Sequence, residues 1–140
     1  MPVRIKLRIV LKTGGEVITS AYVNSGYETD KPEILLPVGL ALKLGLWRNV
    51  KEDYARTPIG VGKIHTINDK LKVEVVTEDR KSKTVDVDVV ISEFEDEVLI
   101  SDYLAGELGI AVEDFRRGIW RFRDEPLNKL RKPEKPQHWR

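Results

Sequence analysis

The chain has 140 residues, of which 41% are hydrophobic, a length and composition that suit a single domain with one core. It contains no cysteine and two histidines, His65 and His138, so disulfides, thiol nucleophiles and cysteine-ligated metals are excluded, and a zinc site or a histidine-dependent triad has little to draw on. With 24 basic against 23 acidic residues the chain is nearly neutral; carboxylates and hydroxyls must carry any chemistry, and no cofactor or metal is expected.

Val3 to Leu11 alternates apolar residues with Arg4, Lys6 and Arg8, the period-two signature of a half-buried strand. This opening does not resemble a signal peptide and no segment is apolar for long enough to cross a bilayer, so a cytoplasmic location without a membrane partner is expected. Thr13-Gly14-Gly15-Glu16 reads as a hairpin turn and Val17 to Val23 as the returning strand. That strand delivers the chain into Asn24-Ser25-Gly26, where glycine permits close backbone approach. Ile34-Leu35-Leu36 reads as a short buried strand, Pro37 as the start of a helix over Val38 to Leu44, and Gly45 as its C-cap.

Trp47 to Asp53 reads as a connection, after which strands return as far as Ile91. Within them Ile59-Gly60-Val61-Gly62 is a loop or hairpin tip, Asn68-Asp69 a turn, and Leu71 to Val76 and Val85 to Ile91 are strands around the charged turn Glu78 to Lys83. An acidic loop, Glu93 to Glu97, leads to the strand Val98-Leu99-Ile100. Ser101 then caps a helix over Asp102 to Leu108 that Gly109 closes. Val112 to Phe115 and Ile119 to Phe122 flank Arg116-Arg117-Gly118 in a last hairpin. Trp47, Tyr103, Trp120 and Phe122 are assigned to core or interface, and Glu33, Asp86 and Asp88 to an exposed face.

The folded domain is expected over residues 1–123, with 124–140 as a basic, proline-containing tail. Residues 121–140 hold seven basic and three acidic residues, about +4, which leaves about −3 for the remainder. Pro126, Pro133 and Pro136 predict that the tail is solvated and partly disordered, and nucleic acid is not the expected partner even with Trp139 and His138 among the basic residues. A single glutamine and four asparagines beside 34% charged residues is a composition reported for hyperthermophile proteins.

Leu36 to Leu46 laid on Ile100 to Ile110, an offset of 64, matches Leu40 with Leu104, Ala41 with Ala105, Leu44 with Leu108 and Gly45 with Gly109. Two copies of strand, short helix and Leu-Gly cap suggest a pseudo-twofold domain. The run Ala21-Tyr22-Val23-Asn24-Ser25-Gly26, then Ile34-Leu35-Leu36-Pro37 and Leu40 to Leu46, resembles the first half of retropepsin-like aspartic proteases, in which an apolar strand ends in Asp-Thr/Ser-Gly before a strand and a helix closing in Leu-Gly-Leu. Val98 to Leu104 through Leu108-Gly109-Ile110 is similar to that family's second half. The resemblance covers Ala21 to Phe122 and departs from the family at three places. Asn24 stands where the catalytic aspartate belongs, Ser101 replaces a glycine, and Tyr27 replaces a small residue.

The resemblance implies an all-β, closed acid-protease barrel with two short helices, assembled as a homodimer with the Asn24-Ser25-Gly26 loops at the twofold. In an active member each chain supplies one carboxylate, and the pair shares a proton, activates water and protonates the leaving amine. An asparagine amide has no protonation equilibrium near neutral pH and cannot serve as that base. Three readings of Asn24 follow: a non-cleaving module that binds an extended peptide or protein segment; an active aspartic endopeptidase whose aspartate is here engineered to an asparagine that traps substrate, or is regained by deamidation of Asn24; or replacement of the function by Glu28 or Asp30. The first ranks highest. The resemblance also implies that Ser25 bonds across the dimer axis, that Tyr27 touches the bound segment, and that Ile59, Gly60, Val61 and Gly62 form a flap over it.

Overall fold

The computed structural model describes residues 2–57 and 60–140. Nine strands and two short helices are present among them: β1 (Arg4–Val10), β2 (Glu16–Val23), β3 (Glu33–Pro37), α1 (Val38–Lys43), β4 (Lys51–Thr57), β5 (Gly60–Val75), β6 (Val85–Ser92), β7 (Val98–Ile100), α2 (Asp102–Glu107), β8 (Ile110–Asp114) and β9 (Ile119–Phe122). The main sheet runs β1-β2-β7-β3-β6-β5-β4, and a further β1–β5 pairing closes its first six strands into a barrel. Closure removes free edges from those strands and leaves β4 outside the ring, paired with the outer part of β5.

Period-two patterning fills the interior. Ile5, Leu7 and Ile9 from β1, Leu71, Val73 and Val75 from β5, and Val85, Val87, Val89 and Ile91 from β6 are buried, as are Ile34, Leu36, Val98 and Ile100. Each such side chain contributes about 1.5–3 kcal/mol of burial. The alternate residues face outward and pair across strands: Arg8 with Glu74 at 2.7 Å, Lys72 with Asp86 at 2.8 Å and Lys70 with Asp88 at 3.5 Å.

The 64-residue repeat is a structural twofold. In the antiparallel β3–β7 pair Leu35 faces Leu99, and in the β1–β5 pair Ile9 faces Val73; each is a residue facing its own copy 64 positions on. Parallel pairing of β2 with β7 (Ala21 to Val98, Val23 to Ile100) is repeated by β6 with β3 (Val89 to Ile34, Ile91 to Leu36). β6 therefore follows β2 at 68, four residues out of step, because the turn before β6 is longer than the one before β2. The helices obey the same relation: Gly45 and Gly109 both close them at positive φ, 71° and 79°, a conformation that costs a residue with a Cβ about 1 kcal/mol or more.

Four expectations need correction. Asn68-Asp69 is no turn but part of β5, where the register against β6 shifts between Thr66 and Lys70, a bulge that lets one strand serve both the barrel and the outer hairpin. The connection after Trp47 is shorter than expected, because β4 begins at Lys51. Glu33 is half-buried rather than a free surface charge, and its carboxylate accepts a hydrogen bond from the Tyr27 hydroxyl. The tail, though largely exposed, is laid along the barrel by specific contacts rather than left loose: Arg131 bridges to Trp120, the Glu134 N–H donates to the Arg4 carbonyl at 2.8 Å, and the Ser20 N–H donates to Gln137 Oε1 at 3.1 Å. Prolines deny it regular structure, yet its polar groups satisfy barrel groups that the strand ladders leave over.

Candidate functional site

β2 ends at Val23, alongside Ile100 of β7, and the chain then crosses over the end of β7 to begin β3. Asn24 is the first residue of this crossing. Its Oδ1 accepts the Gly26 N–H at 2.9 Å and its carbonyl accepts the Tyr27 N–H at 3.1 Å, so the predicted tight point is an asparagine-initiated turn. Asn24 is half-buried while Ser25 and Gly26 are exposed. One lone pair of Oδ1 is taken by Gly26, the amide NH2 remains a donor, and neither group has a protonation equilibrium with which to act as a base.

The barrel's internal symmetry places a counterpart at the end of β6. Ser92-Glu93-Phe94 occupies the place of Asn24-Ser25-Gly26, and the Ser92 Oγ accepts the Phe94 N–H at 3.1 Å just as Asn24 accepts from Gly26. The two turns lie at opposite ends of the β3–β7 pair, because those strands are antiparallel.

Tyr27 folds back over the crossing. Its hydroxyl donates to Glu33 Oε2, its carbonyl accepts the Asp102 N–H at 2.8 Å, and burial together with the Glu33 charge pushes the phenol well above its ordinary range. Burial raises the Glu33 carboxyl as well; the Tyr27 hydrogen bond opposes this, and Asp88 and Asp30 add to it. Ser101, fully buried, ties the crossing to α2: its Oγ accepts the Leu104 N–H at 3.1 Å as the predicted cap and also the Glu33 N–H at 3.3 Å. The Asp102 carboxylate accepts from Tyr103 N at 2.7 Å and from Thr29 N at 3.3 Å. Glu28 and Asp30 are exposed; the acid that the structure buries beside this loop is Glu33.

The expected flap is the β4–β5 hairpin, in which Arg56 faces Val61, Ala55 faces Gly62 and Thr57 faces Gly60 at φ 140°. Ile59 lies outside the described residues. Sequence reasoning missed the rest of this region. Tyr54 and Val61, on one face of the hairpin, are 65% and 66% exposed, and His65 lies on that same face by alternation. His65 itself is buried, packs edge-on against Trp47 at 4.8 Å, and meets Glu93 at 2.7 Å, which brings the hairpin root to the loop whose Phe94 is 80% exposed. The signal available in the sequence was the alternation Glu52, Tyr54, Arg56 opposite Val61, Lys63, His65, which puts Tyr54 and Val61 among charges on one face.

Among the described residues no group of three or more His, Cys, Asp and Glu side chains is arranged to hold a metal, and no helix is long and apolar enough to cross a membrane. The chain matches no model of a known protein family, and no curated protein matches it.

Proposed function

We propose that this chain is a retropepsin-like homodimer that binds an extended peptide or protein segment without cutting it. The observation that carries the reading is Asn24, a neutral amide at the head of the crossing after β2, where the family resemblance requires a carboxylate. Three features support it. The Asn24 turn is short and fixed, Ser25 beside it is exposed, and a two-stranded hairpin stands free of the barrel with Tyr54 and Val61 uncovered. In such a dimer the paired amides donate hydrogen bonds to a backbone carbonyl, and the exposed Tyr54 ring and Val61 side chain supply apolar contact.

Cleavage is absent in this reading because losing a general base removes roughly 10²–10⁴ in rate, and both members of the dyad are amides. The test is incubation of unfolded protein substrate with the native chain and with Asn24→Asp at acidic and neutral pH. Cleavage by Asn24→Asp alone supports the proposal. Equal cleavage by both would transfer the assignment to an aspartic endopeptidase acting through another carboxylate.

A further inference from the structure

Loop 93–97 is gripped from two sides, and both histidines of the chain take part. From the hairpin, His65 on β5 meets Glu93 at 2.7 Å. From the tail, His138 Nδ1 lies 3.2 Å from Asp96, Arg140 Nε donates to the same carboxylate at 3.2 Å, and the Trp139 N–H donates to the Asp96 carbonyl at 2.7 Å. Hydrogen bonding from His138, then from Arg140, holds the Asp96 carboxyl below its ordinary range.

Trp139 is seated rather than draped. Its indole N–H donates to Thr19 Oγ1 at 2.9 Å, the Lys43 ammonium lies 5.4 Å from its ring centroid, and its carbonyl passes so near Gly39 of α1 that a Cβ there would come within 2.7 Å. Only glycine leaves room for the strap at that point. The far end of the loop is fixed independently, since Glu97 accepts from Arg4 at 2.7 and 3.0 Å. Glu93 to Asp96 is therefore the stretch able to follow the tail, and its two anchors are only three residues apart.

We propose that residues 138–140 are a clasp: docked, they set loop 93–97 and, through Glu93 and His65, the rest position of the β4–β5 hairpin; lifted, they free it. The clasp thus regulates access of the extended segment to the binding site proposed above and rests on that reading for its purpose, but the coupling is a property of the unliganded chain and is measured without peptide. Coupling between two elements requires a demonstrated joint response, which a double-mutant cycle supplies.

The experiment is hydrogen exchange on the full chain bearing Gly39→Ala, which crowds the strap off α1, or Asp96→Ala, which removes the carboxylate that His138 and Arg140 meet. Expected is exchange faster by about threefold or more, the lower range for coupled contacts, in residues 92–97 and in the hairpin (51–57 and 60–66), with β8–β9 unchanged. Adding Gly39→Ala to His65→Gln should then make the hairpin no faster than His65→Gln alone. Release of residues 133–140 with an unchanged hairpin overturns the proposal, as does full additivity of the two substitutions. Should Gly39→Ala not fold, Asp96→Ala carries the same comparison. Coupling without peptide binding would sink the binding module and spare the clasp; binding without coupling would do the reverse.

Discussion

Replacing Arg131 by alanine tests whether the tail is part of the fold. The Arg131 guanidinium, 10% exposed, donates to Glu125 at 2.6 and 3.0 Å and to Asp79 at 2.8 and 2.9 Å, and lies 5.2 Å from the Phe122 ring centroid. Breaking a buried pair by removing one partner costs about 3–5 kcal/mol. Here Arg80, 3.6 Å from Glu125, still faces the abandoned carboxylate, and Asp79 opens to water, so the loss should be nearer 2 kcal/mol. At roughly 4 °C per kcal/mol for a chain of this size, Tm should fall by about 8 °C in a circular-dichroism melt at pH 7.

The pH dependence supplies the refutation. Hydrogen bonding from Arg131 holds the Glu125 carboxyl at about 2, below its ordinary 4.5, and Asp79 is lowered for the same reason. A depressed acid stabilises the fold above its unfolded value, and that stabilisation fades as pH falls from 4.5 towards 2. Native chain and Arg131→Ala should therefore converge in stability across that window. A pH 7 difference below about 0.5 kcal/mol, or one that persists undiminished at pH 2, would show that Arg131 does not hold the tail through these carboxylates.

Other substitutions test the remaining joints. Ser101→Ala removes the acceptor of the Leu104 and Glu33 N–H groups and should cost about 1–2 kcal/mol in urea unfolding, whereas Ser25→Ala, at an exposed position, should cost less than about 0.5 kcal/mol. Ile100→Ala, at a fully buried position on the β2–β7–β3 seam, should cost about 3–4 kcal/mol. Tyr27→Phe removes the hydrogen bond that opposes the upward shift of Glu33, so the Glu33 carboxyl should titrate at higher pH in carbon-detected NMR; an unmoved titration would show that the pair is not formed.

The barrel strands were legible because a barrel buries one face and solvates the other, which writes period two directly into segments such as Ile5-Lys6-Leu7-Arg8-Ile9. The helices were legible from Leu-Gly endings at a constant spacing, and that spacing is the twofold which sets Leu35 against Leu99. What the sequence concealed depended on partners distant in the chain. Asn68-Asp69 has turn composition, but pairing of β5 with β6 on both sides absorbs it as a bulge. Glu33 has the look of a surface charge until the fold half-buries it and bonds it to the Tyr27 hydroxyl. The tail carries every local mark of disorder, and contacts at Thr19, Ser20, Gly39, Trp120 and Asp96 order it nonetheless. At the candidate site the Asn24 turn was legible, while the meeting of His65 with Glu93 was hidden by 28 residues of separation.

Self-association through the Asn24 loops is open to one direct measurement, because the chain has no cysteine of its own. A Ser25→Cys chain, oxidised under dilute conditions, should form a covalent dimer quantified by intact mass, since loops meeting at a twofold bring equivalent Cα atoms within the roughly 4.4–6.8 Å a disulfide spans. A Lys12→Cys chain, exposed at the far end of the β1–β2 hairpin, should remain monomeric. Equal cross-linking at both positions, or none at residue 25, would contradict the dimer on which the proposed binding site depends.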